Sequence, residues 1–372
     1  RQSGAIFSTK TRTMEEYDAL SLFSGGLDSI LASRLMQSLG YKILGLHFVS
    51  PFFGKPEQIP HWAREYGLPI VPVDVGQEFV DLMAGFPAHG FGKVLNPCVD
   101  CKILMLRRAK ALLSAYGAKF LISGEVLGQR PMSQRADTLN TIRNDAEVRG
   151  LLLRPLSACL LPPTPMEESG LVDREKLYAI NGRGRRGQFG LAKILGVTSI
   201  PAQAGGCRLS EKESARRYWP LLRTFSRPLA GDFELANVGR QLWKREGDAA
   251  YWLTMGRDRQ SNERVLALAR PGDYLLEARD FPGPQGLCRP APGSFWPEHA
   301  LREAAACLAS FSSKARQRGQ PVVVLIRRGE EEREFLVDPA APHGFAENLS
   351  WERTREERNV WIRNVTAADG VM

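Results

Sequence analysis

Five apolar runs of strand length recur through the first half of the 372-residue chain, and they limit the fold more than any other feature of the sequence. They are 18–23, 41–48 ("YKILGLHF"), 68–75 ("LPIVPVDV"), 119–126 ("KFLISGEV") and 151–156 ("LLLRPL"). The spacing leaves room for a crossover helix each time, which is the pattern of parallel strands covered on both faces. The expectation is a doubly wound α/β domain built on a parallel sheet. After Leu156 the texture changes to a Pro-rich bend, two short helical patterns joined by an Arg/Gly loop, and a helix from about Ser210 to Thr224. The punctuating "SRPLAGD" (226–232) marks a domain boundary. Beyond it, "NVGRQLWKR" and "AAYWLTMG" read as paired strands, "SNERVLALA" as a capped helix, "GDYLLEARDF" as a strand, 298–317 as one longer helix, and "PVVVLIRRG" with "REFLVDP" as a hairpin. A small α+β domain is expected there.

The first run feeds "SGGLDS" (24–29), and from Asp28 onward apolar residues fall at helical spacing, so this hexapeptide is a strand-to-helix turn. Gly25 and Gly26 permit positive φ and close approach of backbone N–H groups to an anion, while the following helix aims its positive end at the same place. Ser24 and Ser29 add hydroxyl donors. The loop is a phosphate cradle without the Lys of a Walker A loop.

The whole hexapeptide at the end of the first strand resembles the PP-loop of the ATP-pyrophosphatase superfamily, whose fold is adenine nucleotide alpha hydrolase-like. "LGLHFVSPFF" (44–53), with His47 and Phe48, is similar to the adenine-pocket stretch of tRNA 4-thiouridine synthases, and "ISGEVLGQRPMSQ" (122–134), with Gly124 and Gln129, to the segment closing over the nucleotide. The resemblance covers about residues 15 to 225. It implies ATP and Mg2+ bound at Ser24, Gly25, Gly26, Asp28 and Ser29, cleavage between the α- and β-phosphates, and adenylation of a substrate oxygen. Such chemistry asks for in-line placement and charge neutralisation more than for covalent help.

"NPCVDCKILMLRRAKALL" places Cys98 and Cys101 at the start of a helical pattern, where the dipole favours a negative thiolate. No second CxxC completes a four-ligand zinc site. "NPCVDC" resembles the segment carrying the active cysteine of tRNA 2-thiouridine synthases, with Cys101 at that position, and Cys207 in "QAGGCRLSEKES" resembles their downstream cysteine. Two mechanisms stay open. A persulfide on Cys101 or Cys207 attacks the adenylated base and resolves as a disulfide, or Cys98, Cys101 and Cys207 ligate a [4Fe–4S] cluster whose fourth iron takes sulfide, as the resemblance to PP-loop tRNA thiolases implies. A count of three thiols favours the cluster. Cys159, Cys288 and Cys307 read as small core residues.

Arg183, Arg185 and Arg186 in "NGRGRRGQFG" are read as a phosphate-gripping surface; the formal GxGxxG there follows a helical pattern and is no dinucleotide site. The region from "NVGRQLW" to "DFPGP" resembles the NFACT-R type of RNA-binding domain, with Arg240, Arg257, Asn262 and Arg264 at matching places. Trp243 and Trp252 are placed either to stack on bases or, as strand aromatics more often do, to form core. The five histidines show no ligand spacing.

Fifty basic against 41 acidic residues fit a polyanionic partner. Six cysteines are too few and too unevenly spread for a disulfide scaffold and point to a reducing cytoplasm. No run approaches the ~18 apolar residues of a membrane span. The expected layout is a flexible segment 1–14, a PP-loop domain 15–228, an NFACT-R-like domain 229–345 and a charged, loosely held tail 346–372. The expected activity is that of an ATP-dependent tRNA sulfurtransferase served by a separate sulfur donor, a cysteine desulfurase or sulfide, since no rhodanese-like domain is present. The rival readings are a PP-loop enzyme acting on a small metabolite and an RNA-binding protein with a non-catalytic ATP site.

Overall fold

The structure, a computed structural model, describes residues 16–202 and 207–368. The segment 1–14 and the two glycines before Cys207 lie outside the described residues. In the first half the elements are β1 (Ala19–Leu22), α1 (Leu27–Ser38), β2 (Ile43–Val49), α2 (Ile59–Tyr66), β3 (Ile70–Asp74) and α3 (Gly76–Ala84). There follow α4 (Cys98–Leu112), β4 (Phe120–Ser123), α5 (Ala136–Asp145), β5 (Leu152–Leu153), α6 (Pro165–Glu168) and α7 (Arg186–Ile194). The second half holds α8 (Lys212–Thr224), α9 (Ala230–Ala236), β6 (Arg240–Glu246), β7 (Ala249–Met255), α10 (Arg259–Ala267), β8 (Tyr274–Ala278) and β9 (Gly286–Arg289). It ends with α11 (Glu298–Ser310), α12 (Ser313–Arg318), β10 (Val322–Arg328), β11 (Glu331–Val337), β12 (Ala346–Glu347) and α13 (Trp351–Ala368).

Two compact units result. Among the described residues, one comprises 16–49, 54–75 and 98–202, the other 50–53, 76–97 and 207–368.

The first unit is the doubly wound α/β domain. Its five strands are parallel in the order β3-β2-β1-β4-β5. Central β1 is buried along its whole length, which is why "ALSL" carries bulk on both faces. On one face Ala19, Ile43, Phe120 and Ile122 meet Ile30, Leu31 and Leu35 of α1, Trp62 and Tyr66 of α2, and Leu191 of α7. The chain goes from β1 to β2 on one side and later to β4 on the other, so the ends of β1 and β4 flank a topological switch point, where α/β sheets bind ligands.

The second unit carries a seven-stranded antiparallel sheet in the order β11-β10-β8-β9-β7-β6-β12. α11 covers it with an alanine-rich face, Ala300, Ala304, Ala305 and Leu308, packed on Leu253, Leu276 and Val324. Trp243 and Trp252 stand opposite each other on β6 and β7, stacked at 5.6 Å and buried, so they form core and are not platforms for bases.

Three expectations need correction. The single cut at 228 does not describe the division, because Phe52 packs at 5.1 Å on both Tyr218 and Phe233, and its ring also meets Phe79, which draws residues 50–53 and 76–97 into the second unit. The expected single helix 298–317 is two, broken where the Ser312 side chain accepts a hydrogen bond from the Ala315 N–H and starts α12. The charged end is not a loose tail. Residues 351–368 form α13, whose Trp361 meets Phe86 at 5.2 Å and Trp219 at 5.5 Å, while Glu357 accepts from the Trp219 indole at 2.8 Å. Few aliphatics are needed when tryptophans do the burying.

Replacing Trp361 by Ala removes these ring contacts and the Arg223 guanidinium stacked over it at 5.3 Å. The expected cost is about 2 kcal/mol for a half-buried aromatic. A urea unfolding curve of the full chain should show it, and an unchanged midpoint would mean that α13 is not part of the folded unit.

Candidate nucleotide and thiol site

The predicted loop turns at the end of β1. Gly25 has φ +77°, and a Cβ there would also run into the Trp62 ring, so only glycine fits. Ser29 Oγ donates to the Gly26 carbonyl at 2.8 Å and accepts from the Ser24 N–H at 3.2 Å, holding the loop in a tight coil. α1 begins at Leu27 with no side chain capping its first turn. The N–H groups of that turn and the positive end of the helix therefore face the loop.

The segment after β4 lies directly on this turn. A Cβ on Gly124 would stand 2.5 Å from the Asp28 carbonyl oxygen and 2.7 Å from the Ser29 nitrogen, so backbone meets backbone here and no larger residue fits. From the same segment Gln129 donates through Nε2 to Asp28 Oδ2 at 2.9 Å. Gln188 Nε2 then donates to Gln129 Oε1 at 3.4 Å. Gln188 is wholly buried at the start of α7, and its Oε1, like Asp28 Oδ1, is buried without a hydrogen-bond partner. Two buried oxygens without partners, Asp28 Oδ1 in the first turn of α1 and Gln188 Oε1 on α7, suit a cation held together with an anion.

Gln188 escaped the sequence reading. Its only signal is its place just after the Arg/Gly loop, which the structure brings to the site: Asn181 pairs with Leu127, and the Gly182 N–H donates to the Leu127 carbonyl at 2.8 Å. Arg183 and Arg186 stand exposed on that loop and Arg185 half-buried.

His47 and Phe48, on β2, are both buried. The two ring nitrogens of His47 are engaged: Nδ1 donates to the Phe23 carbonyl at 2.9 Å, and Nε2 accepts the Lys55 N–H at 2.8 Å. Burial lowers its pKa, outweighing the opposing pull of the Phe23 carbonyl and Glu57. The residue is thus a neutral brace between the loop and the end of β2, with no nitrogen left for a ligand.

α4 opens with the thiols. Cys98 and Cys101, three apart, share one helix face and are half-buried. The next residue, Lys102, reaches Glu125 Oε1 at 3.9 Å. Glu125, buried just past Gly124, also accepts from Arg154 Nε at 2.9 Å. Burial pushes its carboxyl upward, but Arg154 and Lys102 outweigh this and hold it below the ordinary glutamate range. This ion pair ties the thiol-bearing turn to the segment that closes on Asp28.

Cys207 belongs to the second unit, half-buried, with its carbonyl accepting from the Ser210 hydroxyl at 2.6 Å. Within neither unit, among the described residues, do three Cys, His, Asp or Glu side chains gather to hold a metal. In the first unit Cys98 and Cys101 share a helix turn, while its third thiol, Cys159, lies at the Arg174 and Leu177 carbonyls. Cys288 and Cys307 are buried, and burial pushes both thiols up, Cys307 to about 12; Cys159 is exposed and not the core residue expected. Of the arginines expected to meet RNA, Arg257 and Arg264 are exposed and Arg240 stacks over Phe311 at 4.9 Å. Asn262 is structural, its Oδ1 accepting the Gln285 N–H at 2.9 Å.

A parallel sheet with a glycine and serine turn and an uncapped helix at its switch point defines a nucleotide-handling domain of the PP-loop kind. Residues 15–159 match the family model described as "Thiamine biosynthesis protein (ThiI)". The chain is similar to the tRNA sulfurtransferase of Sodalis glossinidius, 31% identical over 147 residues that make up 37% of this chain and 29% of the relative. It is also similar to the probable tRNA sulfurtransferase of Thermococcus kodakarensis, 26% identical over 119 residues, 30% of either chain. The chain thus spans less than a third of the length of these curated relatives. Among solved structures, the U34-tRNA thiolase NcsA of Methanococcus maripaludis with its [4Fe-4S] cluster aligns at 16% identity and TM-score 0.28, covering 52% of this chain and 63% of that one. A predicted subunit of tRNA methyltransferase from Methanocaldococcus jannaschii aligns at 17% identity and TM-score 0.28, covering 37% and 68%. Among the described residues no helix is long and apolar enough to cross a membrane.

His47 yields a pH test. The unfolded chain takes up a proton near pH 6.5, whereas the folded chain does so only at lower pH. The unfolded state therefore binds more protons in that window, and stability falls as pH drops below about 6.5. His47→Gln should lose this component: the thermal midpoint of the variant should fall less than that of the native chain between pH 7.5 and 5.5. Parallel curves would mean that His47 titrates normally.

Proposed function

We propose that the chain is an ATP-dependent tRNA sulfurtransferase, and the observation that carries the reading is the Asp28, Gln129, Gln188 hydrogen-bond chain beside an uncapped α1, tied through Glu125 and Lys102 to the turn bearing Cys98 and Cys101. ATP lies with its phosphates at Ser24, Gly25, Gly26 and Ser29 and its base toward Phe48. Asp28 holds Mg2+, which neutralises charge on the pyrophosphate. A nucleobase carbonyl oxygen attacks the α-phosphorus, pyrophosphate leaves, and the base carries AMP on its oxygen. A poor leaving group has become a good one.

The outer sulfur of a persulfide on Cys101 or Cys207 then attacks that carbon, and AMP departs with the base oxygen. A second thiolate attacks the cysteine sulfur of the mixed disulfide, which frees the thiocarbonyl and leaves a cysteine disulfide for an external thiol to reduce. Cys98 stands one turn from Cys101 for this role. The persulfide route is complete with the α4 pair, and the [4Fe–4S] alternative takes Cys98, Cys101 and Cys207 as its three thiolates. The sulfur comes from a cysteine desulfurase, whose own persulfide passes its outer sulfur to the receiving thiolate and leaves as a thiolate; sulfide as donor belongs to the cluster alternative alone, where no persulfide forms. Arg183, Arg185 and Arg186 grip RNA phosphates beside the nucleotide, and the second unit, in which Arg240, Arg257 and Arg264 fall as in NFACT-R domains, holds the RNA. A cytoplasmic location, with the tRNA pool, goes with this reading.

The test uses unmodified tRNA, ATP, Mg2+ and a cysteine desulfurase with cysteine, with sulfide in a parallel reaction. Ser29→Ala should cut AMP formation at least tenfold, the order of one lost anchoring interaction. Cys101→Ser should keep AMP formation and give no thionucleoside by mass spectrometry. Full thiolation by Cys101→Ser would remove the sulfur assignment, and no AMP with any RNA would leave an RNA-binding protein whose ATP site is silent.

A further inference from the structure

The second unit contains two adjoining cavities, which give the proposed RNA contacts at Arg240 and Arg257 a definite shape and add Arg208 and Arg217 to them. The first, about 340 Å3, is lined by Arg208, Arg217 and Arg257 together with Ser214, Asn237, Asp258 and Ser261. The second, about 510 Å3, shares Arg257 and Asp258 and adds Arg240 and Arg259.

Three guanidinium groups rim the first cavity, against one lining carboxylate, Asp258, and the nearby Glu213, which attracts Arg217. Glu213 pairs with Arg216 at 3.3 Å and Glu263 with Arg259 at 2.9 Å. Asp258 spends Oδ1 on the Ser261 N–H at 2.8 Å and hydroxyl at 2.9 Å, capping α10. Arg217 is fixed, donating to the Ala236 carbonyl at 3.0 Å and the Gly239 carbonyl at 3.2 Å, and Arg240 is fixed over Phe311. Arg217 and Arg257 both line the cavity, and burial, with next the like charge of Arg257, lowers the Arg217 pKa. Like charges held together in a concave site favour an anion between them. Arg208 follows Cys207 directly in the chain and lies at the Tyr218 hydroxyl.

We propose that Arg208, Arg217 and Arg257 form a phosphate pocket that clamps one phosphodiester of an RNA strand, whose next phosphate enters the neighbouring cavity at Arg240, so that the strand is anchored beside Cys207. Two cavities sharing a wall suit a polymer with repeating phosphates better than a lone phosphate ion. The RNA identity of the anion rests on the proposed function; the pocket does not.

The experiment measures binding of an unmodified tRNA transcript to the full chain without ATP, over a salt series. Arg257→Ala and Arg208→Ala should each lower the slope of log affinity against log salt by about one phosphate contact. Arg333→Ala, on exposed β11, is the control, and the thermal midpoint of each variant shows that it folds. Inorganic phosphate is titrated in parallel, with its effect on the midpoint as readout. Reduced slopes for the two variants support the pocket. Unchanged slopes with a phosphate effect that needs Arg257 assign the pocket to free phosphate and overturn the RNA assignment, and no effect of either probe overturns the pocket itself. Because ATP is absent, a chain that binds tRNA through this pocket yet never releases AMP would refute the sulfur-transfer reading alone.

Discussion

The hydrogen bond from Gln129 to Asp28 spans the switch point of the parallel sheet, and the candidate site depends on it. It joins the loop after β4 to the first turn of α1 and is possible because Gly124 lets the two backbones touch. Gln188 extends it to α7, so the Arg/Gly loop is set beside the nucleotide loop. The oxygens left over, on Asp28 and Gln188, carry desolvation that a bound ligand or water offsets. Loops from three separate crossovers thus converge on one helix terminus.

The same segment reaches the thiols. Glu125 follows Gly124 immediately, and a carboxylate buried there would cost several kcal/mol if it were unpaired. Arg154 and Lys102 pair with it, and Lys102 is the neighbour of Cys101. Burial of one carboxylate thereby couples the nucleotide segment to the start of α4, and a mutation that removes Arg154 should be felt at both.

The parallel sheet and the glycine turn were legible because their signals are local: apolar runs of strand length, two glycines and a serine pair within six residues. Cys98 and Cys101 were legible for the same reason. Gln188 was not, since its meaning comes from a partner 59 residues away, and nothing in "RGQFG" marks a buried amide. His47 was read as a pocket residue because the side chain alone hides that Phe23 and Lys55 consume both nitrogens. The end of the chain was misread because aliphatic content was taken as the measure of a core, while Trp351 and Trp361 supply the burial of α13. The arginine cavity went unnoticed because Arg208, Arg217 and Arg257 are separated by a helix and a strand pair.

The most direct test of the central claim follows one oxygen atom. A tRNA substrate carrying 18O at its pyrimidine carbonyls is turned over with ATP and a sulfur donor, and the released AMP is weighed. Adenylation followed by sulfur attack predicts that AMP gains one 18O for every thionucleoside formed. AMP without label would contradict the account, because the base oxygen would then never have been bonded to the α-phosphorus.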